Sequence, residues 1–296
     1  MSKPTKTALE LPEIDASDIN KYLSSQDSFQ LEMAVCNECV LEGLKSTHGG
    51  TYIDPVTNKA RQFDIRAIAE NSKNFPQKFM RLAIECKSLK KDAPLLISRV
   101  PRSKEESFHE FIYSANRNLS NLAVVGSGTT VRVENQIYKQ GQFVGKAAVQ
   151  VKRNENNGTI ISMGDSDIYE KWAQAISSAH DLVYHSIDAW RMSGSTVCSM
   201  VLPILVVNDK TLWAVDYALD GTQTGDPTMI EECKYYLGRE IPSEDGKMKY
   251  MLSHLHIVTR KGFRNLLIGL KHTEGFWDFL FPKFALLKED VSPFSR

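Results

Sequence analysis

Apolar and polar positions follow two periods along this chain, and the change of period marks out its elements. From about Asp27 to Lys45, Leu31, Val35 and Leu41 with neighbouring Leu44 form the inner stripe of a helix, with Asp27 or Ser28 as its cap. Ser17-Asp18 caps a shorter helix through Tyr22. Thr47-His48-Gly49-Gly50 is expected to break the longer helix, and Asp54-Pro55-Val56-Thr57-Asn58 reads as a turn. Strands are expected near 62–69 and 80–87, joined through polar Asn71-Ser72-Lys73-Asn74, and again over Pro94 to Val100. Ser107 to Ser114 fits either period. Leu122 to Val125 and Thr130 to Val133 are short strands around Gly126-Ser127-Gly128, Lys146 to Lys152 alternates, and Asn154 to Gly158 is a loop.

Asp167 to about Ala189 is the clearest helix of the second half, with Ile168, Trp172, Ile176, Ala179 and Val183 on one side. Val201 to Val207 and Thr211 to Tyr217 are predicted to form a hairpin across Asn208-Asp209. Ile257-Val258-Thr259 adds a strand, and Gly275 to Leu287 an aromatic-rich helix or pair of turns. Residues 1–26 form a polar N-terminal segment, loosely attached over its first half. No repeat or linker divides residues 27–296, so one α/β or α+β domain with insertions is expected there.

Composition narrows the picture only slightly. The 296 residues carry 36 Lys and Arg against 36 Asp and Glu, so no global field draws the chain to nucleic acid or membranes. The charge is uneven, however: Lys78, Arg81, Lys87, Lys90, Lys91, Arg99, Arg102 and Lys104 face only Glu85 and Asp92 in one stretch. Such a run is either a solvated face or a phosphate-contacting surface. The five cysteines are scattered, Met-Ser-Lys-Pro-Thr-Lys contains no apolar signal region, and no apolar run is long enough for a membrane helix. A cytoplasmic location is expected.

The chemistry concentrates inside that run. Leu82 and Ile84 lead into Glu85-Cys86-Lys87, and strand alternation sends Glu85 and Lys87 to one face and Cys86 to the other. Asp64, after its own apolar approach, can stand on a neighbouring strand beside Glu85. Two carboxylates suit a hard divalent ion such as magnesium, the Cys86 carbonyl adds a third oxygen, and Lys87 would orient water or stabilise charge on a phosphate. Glu38 interrupts the apolar stripe of the 27–45 helix, where a carboxylate is costly unless it meets a metal, water or cation, and Glu42 is the alternative one turn later.

Glu38 on a first helix, then Asp64, then Glu85-Cys86-Lys87 after an apolar strand resembles the PD-(D/E)xK phosphodiesterase superfamily, the restriction-endonuclease-like fold. The match spans roughly residues 27–100, with Phe63 where the family name has proline. The resemblance implies an α/β (α+β) fold with a central mixed sheet flanked by helices, here with C-terminal elaborations. It also implies cleavage of nucleic acid, most readily DNA, dependent on Mg2+ or Mn2+, in a defence or repair setting. Carried over, Asp64 and Glu85 ligate the metal, Lys87 is the catalytic lysine and Glu38 the helical acid. Lys90, Lys91, Arg99 and Arg102 become nucleic-acid contacts, and cutting both strands favours a homodimer. The alternatives are the same fold without catalysis, acting as a nucleic-acid or protein platform, and a hydrolase whose site lies in the second half.

A second copy of the tripeptide, Glu232-Cys233-Lys234, follows Gly225-Asp226-Pro227-Thr228, which reads as a helix start. In a helix, side chains two positions apart diverge by about 200°, so that copy is not expected to build the same site. Cys36-x-x-Cys39 lies within a helix without a second pair, and His254-x-His256 reads as structural. Gly126-Ser127-Gly128 is too short for a phosphate loop, the four tryptophans read as core or edge aromatics, and Ser195 and Cys198 lack a legible His/Asp arrangement.

Overall fold

The computed structural model describes residues 12–25, 28–71, 77–117, 125–163, 166–193, 197–242, 249–272 and 275–281. In chain order the elements are α1 (Ala16–Ser25), α2 (Ser28–Leu41), β1 (Lys45–Ile53), β2 (Ala60–Asn71), β3 (Gln77–Lys87), β4 (Leu95–Pro101), β5 (Phe108–Arg117) and β6 (Val125–Glu134). These are followed by β7 (Phe143–Arg153), β8 (Ile160–Ser162), α3 (Ser166–Ser193), β9 (Val197–Val207), β10 (Leu212–Asp216) and β11 (Thr228–Met229). The last are β12 (Glu232–Pro242), β13 (Lys249–Thr259), α4 (Arg260–His272) and α5 (Phe276–Leu280). Asp27, Ser72 to Asn74, Leu122 to Val124, Ser195 and residues 282–287 of the predicted terminal helix lie outside the described residues.

The fold is mixed α/β, a large mixed sheet flanked by helices. Its strands run in the order β1-β2-β3-β9-β13-β12-β7-β4-β10-β11, with β5 on β9, β6 on β5 and β8 on β7. At its centre β3, β9 and β13 lie parallel. β9 is buried along its whole length, which explains its unbroken apolar reading, since both of its faces are covered. On one face α3 lays Ile168, Trp172, Ala175, Ile176, Ala179 and Val183 over Ala83, Val201 and Leu205. On the other, Leu31, Val35 and Cys39 of α2, with Phe263 and Leu267 of α4, cover Leu82, Ile84, Cys86, Ile204 and Val206. Among the described residues no helix is long and apolar enough to cross a membrane.

Pro203 falls where β9 changes partners: its outer edge pairs with β5 through Ser199 and with β13 only from Ile204. A residue without an N–H is tolerated in that gap, and the Tyr250 hydroxyl accepts the nearby Val201 N–H at 3.3 Å. β12 meets β7 at one pair, Tyr235 opposite Gly145. A Cβ on Gly145 would lie 2.8 Å from the Tyr235 ring and 3.0 Å from Ile97, so the two halves of the sheet close only over glycine.

Several sequence expectations are corrected here. α2 stops at Leu41, which is exposed, while Cys39 holds the inward position. The His48-Gly49-Gly50 segment, expected to be a break, lies within β1, because pairing with β2 supplies the hydrogen bonds that local propensity does not. β9 and β10 do not form a hairpin; β10 pairs with β4 and β11. The intervening side chains are engaged elsewhere: Asn208 accepts the Leu89 N–H at 2.7 Å and Asp209 the Lys261 N–H at 2.8 Å, so the chain turns outward. Glu232-Cys233-Lys234 opens a strand, not a helix, because β13 offers a cross-strand partner along that segment.

Among the described residues, three of the buried histidines, His109, His254 and His256, surround the ring of Tyr138. Tyr138 stacks on His254 at 3.8 Å, its hydroxyl lies 2.7 Å from His256 Nε2, and His109 Nε2 lies 3.3 Å from the Leu280 carbonyl. Burial pushes their pKa values down, to about 4 for His109, about 2 for His254 and about 3 for His256. They are neutral in the native chain, whereas the unfolded chain takes up their protons below about pH 6.5. Stability is therefore full above that pH and falls below it, by about 1.4 kcal/mol per pH unit for each histidine. Denaturant titrations between pH 7 and pH 5 are expected to show this slope, with one histidine's share lost in His254→Phe; a flat profile would contradict the assignment.

Candidate active site

The site forms where a ladder ends. β2 and β3 pair from Asn71/Lys78 to Ile65/Ile84 and no further, so the last three residues of β3 keep only β9 as neighbour. Backbone groups freed at such a splay need other partners, and the two carboxylates supply them. Asp64 Oδ2 accepts the Cys86 N–H at 2.8 Å, and Glu85 Oε1 accepts the Asp64 N–H at 3.3 Å. The side chains of Asp64 and Glu85 thus meet at the carboxyl end of a parallel strand, the edge of an open α/β sheet where ligands commonly bind.

A cation already stands between them. Lys171, near the start of α3, places Nζ 2.8 Å from Asp64 Oδ1, 2.8 Å from Asp64 Oδ2 and 3.0 Å from Glu85 Oε2. Glu85 is almost wholly buried, with 1% of its side chain exposed, against 13% for Asp64 and 25% for Lys171. Burial and then the Asp64 charge raise the Glu85 pKa, and Lys171 only partly offsets them. Burial works against the Lys171 ammonium, but the two carboxylates outweigh it and hold its pKa above the ordinary lysine value.

Lys171 went unrecognised in the sequence, although a signal was there. Lys171, Gln174, Ser178 and Asp181 recur three to four positions apart along a helix whose neighbouring stripe is apolar. All four engage the β1–β2 side. The Gln174 backbone carbonyl accepts from the Tyr52 hydroxyl at 3.5 Å, while Arg66 reaches Ser178 Oγ at 3.1 Å and Asp181 Oδ2 at 2.8 Å. Arg66 also lies over the ring of Phe63 at 4.4 Å, within the strand that carries Asp64.

The predicted site residues separate into groups. Asp64 and Glu85 come together. Lys87 ends β3, partly buried, on the face that alternation assigns to Glu85. Cys86 turns its side chain into the opposite core, and burial followed by the Asp64 charge holds its thiol well above the usual range.

Glu38 does not join the carboxylates; Arg260 Nε of α4 donates to it at 2.8 Å, beside a cavity of about 150 Å³ that Glu42 also lines. Another acid of α2, Glu32, has its pKa raised by burial and then by the Asp64 charge, and lies 3.2 Å from His48 Nε2. Six residues along a helix turn a side chain through about 240°, so Glu32 and Glu38 point in different directions.

The basic run also disperses. Lys90 and Lys91 are exposed just beyond β3. Arg99 is held by Asp216 through two bonds of 2.7 and 3.0 Å, and Arg102 is fully buried, donating to the Lys139 carbonyl at 3.0 Å. Both are corrected as surface contacts, because β4, which holds Arg99 and leads into Arg102, stands five places from β3, about 24 Å across the sheet. The twin tripeptide differs in burial: Lys234 pairs with Glu232 at 3.0 Å, and that Glu side chain is 53% exposed.

Among the described residues no three His, Cys, Asp and Glu side chains gather closely enough to hold a metal ion. The Asp64–Glu85 pair nonetheless fits a cation, since three of its oxygens already converge on one positive charge. A divalent ion there would rest on two carboxylates, with a backbone carbonyl, waters and substrate oxygens completing its shell. No family model, curated protein or solved structure matches the chain.

The two acids are expected to respond differently to mutation. Asp64→Ala leaves the Cys86 N–H without its acceptor and is expected to cost about 1–3 kcal/mol of unfolding free energy. Glu85→Gln removes like-charge repulsion and is expected to leave stability unchanged or higher. Because the native Glu85 pKa is raised, its protonated form favours the fold at low pH and that contribution fades as pH rises; Glu85→Gln should remove the fading. Urea titrations of the two variants across pH check both, and a large stability loss in Glu85→Gln would contradict the reading.

Proposed function

We propose that this chain is a metal-dependent nuclease of the restriction-endonuclease-like, PD-(D/E)xK kind, hydrolysing phosphodiester bonds of nucleic acid, DNA first. The observation that carries the reading is the convergence of Asp64 and Glu85 on a single cation position at the splayed end of β3. Asp64, Glu85 and the carbonyl of Cys86 would hold Mg2+ or Mn2+. When bound, the ion supplies Lewis acidity toward a phosphoryl oxygen and lowers the pKa of a water.

The remaining work falls to the chain itself. Lys87, on the Glu85 face, directs its ammonium toward the attacking water or the charge developing on phosphorus. Burial of Glu85 keeps the site in a low dielectric, where each of these interactions gains strength. Lys90 and Lys91 extend the positive edge past β3 and neutralise flanking phosphates, a sequence-independent contribution. A duplex cut on both strands requires two such sites, most simply in a two-fold pair of chains.

The alternative, the same fold serving as a nucleic-acid or protein platform without turnover, has one observation in its favour: Lys171 already satisfies both carboxylates.

Labelled single- and double-stranded DNA and RNA incubated with Mg2+ or Mn2+ separate the two. Cleavage that vanishes with chelator and falls at least about 100-fold in Asp64→Asn and Lys87→Ala, with unchanged circular dichroism, is expected. Wild-type protein inert on all four substrates with either ion would refute the nuclease and favour the platform. Lys90→Ala with Lys91→Ala should weaken nucleic-acid binding mainly at low salt. Arg99→Ala and Arg102→Ala should instead lower the melting temperature.

A further inference from the structure

We propose that Lys171 is a tethered cation that keeps the position between Asp64 and Glu85 closed, so that a divalent ion enters only by displacing its ammonium. The inference rests on the reading of Asp64 and Glu85 as metal ligands and concerns how that site is regulated.

Three observations carry it. An ammonium has three donors, and those of Lys171 face three oxygens of the pair, at 2.8, 2.8 and 3.0 Å. A magnesium ion binds carboxylate oxygens at about 2.0–2.1 Å and occupies the same point, so ion and ammonium exclude one another there. Charge favours the exchange: one ammonium leaves two carboxylates half neutralised, whereas a divalent ion matches them. Lastly, the lysine can leave without unfolding its helix. Trp172 and Ala175 pack beneath it in the core, and Arg66 ties α3 to β2 through Ser178 and Asp181, so the backbone stays fixed. The Lys171 side chain is itself one quarter exposed and has four carbons through which to swing outward.

A tethered competitor lowers the apparent affinity for metal by the fraction of molecules in which the position is open. Retention of Lys171 therefore makes the site responsive to metal concentration, and anything that draws the ammonium away, such as a phosphate group of a bound nucleic acid, would favour loading.

The test measures metal binding rather than cleavage. Mn2+ titrated into wild type and Lys171→Met, followed by electron paramagnetic resonance of the free ion, is expected to show binding about tenfold or more tighter in the variant. The Asp64→Asn variant should lose that binding. Removing the lysine leaves two facing carboxylates and can impair folding, so a second measurement uses wild type alone. Acetylation of Lys171, read by peptide mass spectrometry, is expected to be slow without metal and faster once Mn2+ is bound. Equal Mn2+ affinity in wild type and Lys171→Met, or a Lys171 that stays protected while the ion is bound, would overturn the displacement and leave the metal reading standing. No Mn2+ binding by either protein would overturn both. Tight binding by Lys171→Met without cleavage of any nucleic acid by wild type would uphold the displacement and remove the nuclease.

Discussion

Two carboxylates that both stay ionised in a shared buried position need a cation between them, and the arrangement of this molecule around Asp64 and Glu85 follows from that constraint. Desolvation penalises each charge, and their mutual repulsion adds to the cost in a low dielectric. The Lys171 ammonium, carried over β2 and β3 by the packed first turns of α3, offsets part of it. The end of the β2–β3 ladder belongs to the same solution. With the strands splayed beyond Ile65/Ile84, the freed N–H groups of Asp64 and Cys86 point at carboxylate oxygens instead of carbonyls. Backbone, helix and acid pair are thus held in one hydrogen-bonded unit, and removing one partner exposes the cost borne by the others.

The order of strands in the sheet decides what can act together. β3 and β4 are consecutive in sequence, yet β9, β13, β12 and β7 separate them in space. The basic run between Lys78 and Lys104 consequently spans the molecule. Lys78 is buried and donates to Asp278 at 2.7 Å, and Arg99 and Arg102 secure β4 and the segment after it. Lys90 and Lys91, in the loop after β3, stay exposed. In exchange the topology brings in residues far away in sequence: Lys171 reaches Asp64 across more than a hundred positions.

What could be read from the sequence was what short-range physics controls. Alternation marked β2 and β3, the apolar stripe from Ile168 to Val183 marked α3, and the lead-in of Leu82 and Ile84 distinguished Glu85 as a strand-end carboxylate with Asp64 before it. Elements whose conformation depends on a partner were misread. The glycines of β1 signal a break until β2 lies alongside, and residues 232–238 have a helix-like preface but pair with β13. The twin tripeptide lies on a strand as Glu85 does; burial, a property of the folded chain, is what separates Glu232 from Glu85.

The sequence by itself determined that the two acids would lie on strands and that a long amphipathic helix would cover the sheet, because periodicity and side-chain alternation are local rules. Only the tertiary structure decided which cation those acids would share. Lys171 and Lys87 are both lysines beside apolar stripes, and nothing within a few residues of either says which will face Asp64 and Glu85. That choice is made by packing: Trp172, Ala175 and Ile176 settle on the sheet, and their burial fixes the rotation of α3 that brings Lys171 to the carboxylates. The same holds for the helical acid, where the face that α2 buries through Leu31, Val35 and Cys39 sends Glu32 toward His48 of β1 and Glu38 toward Arg260.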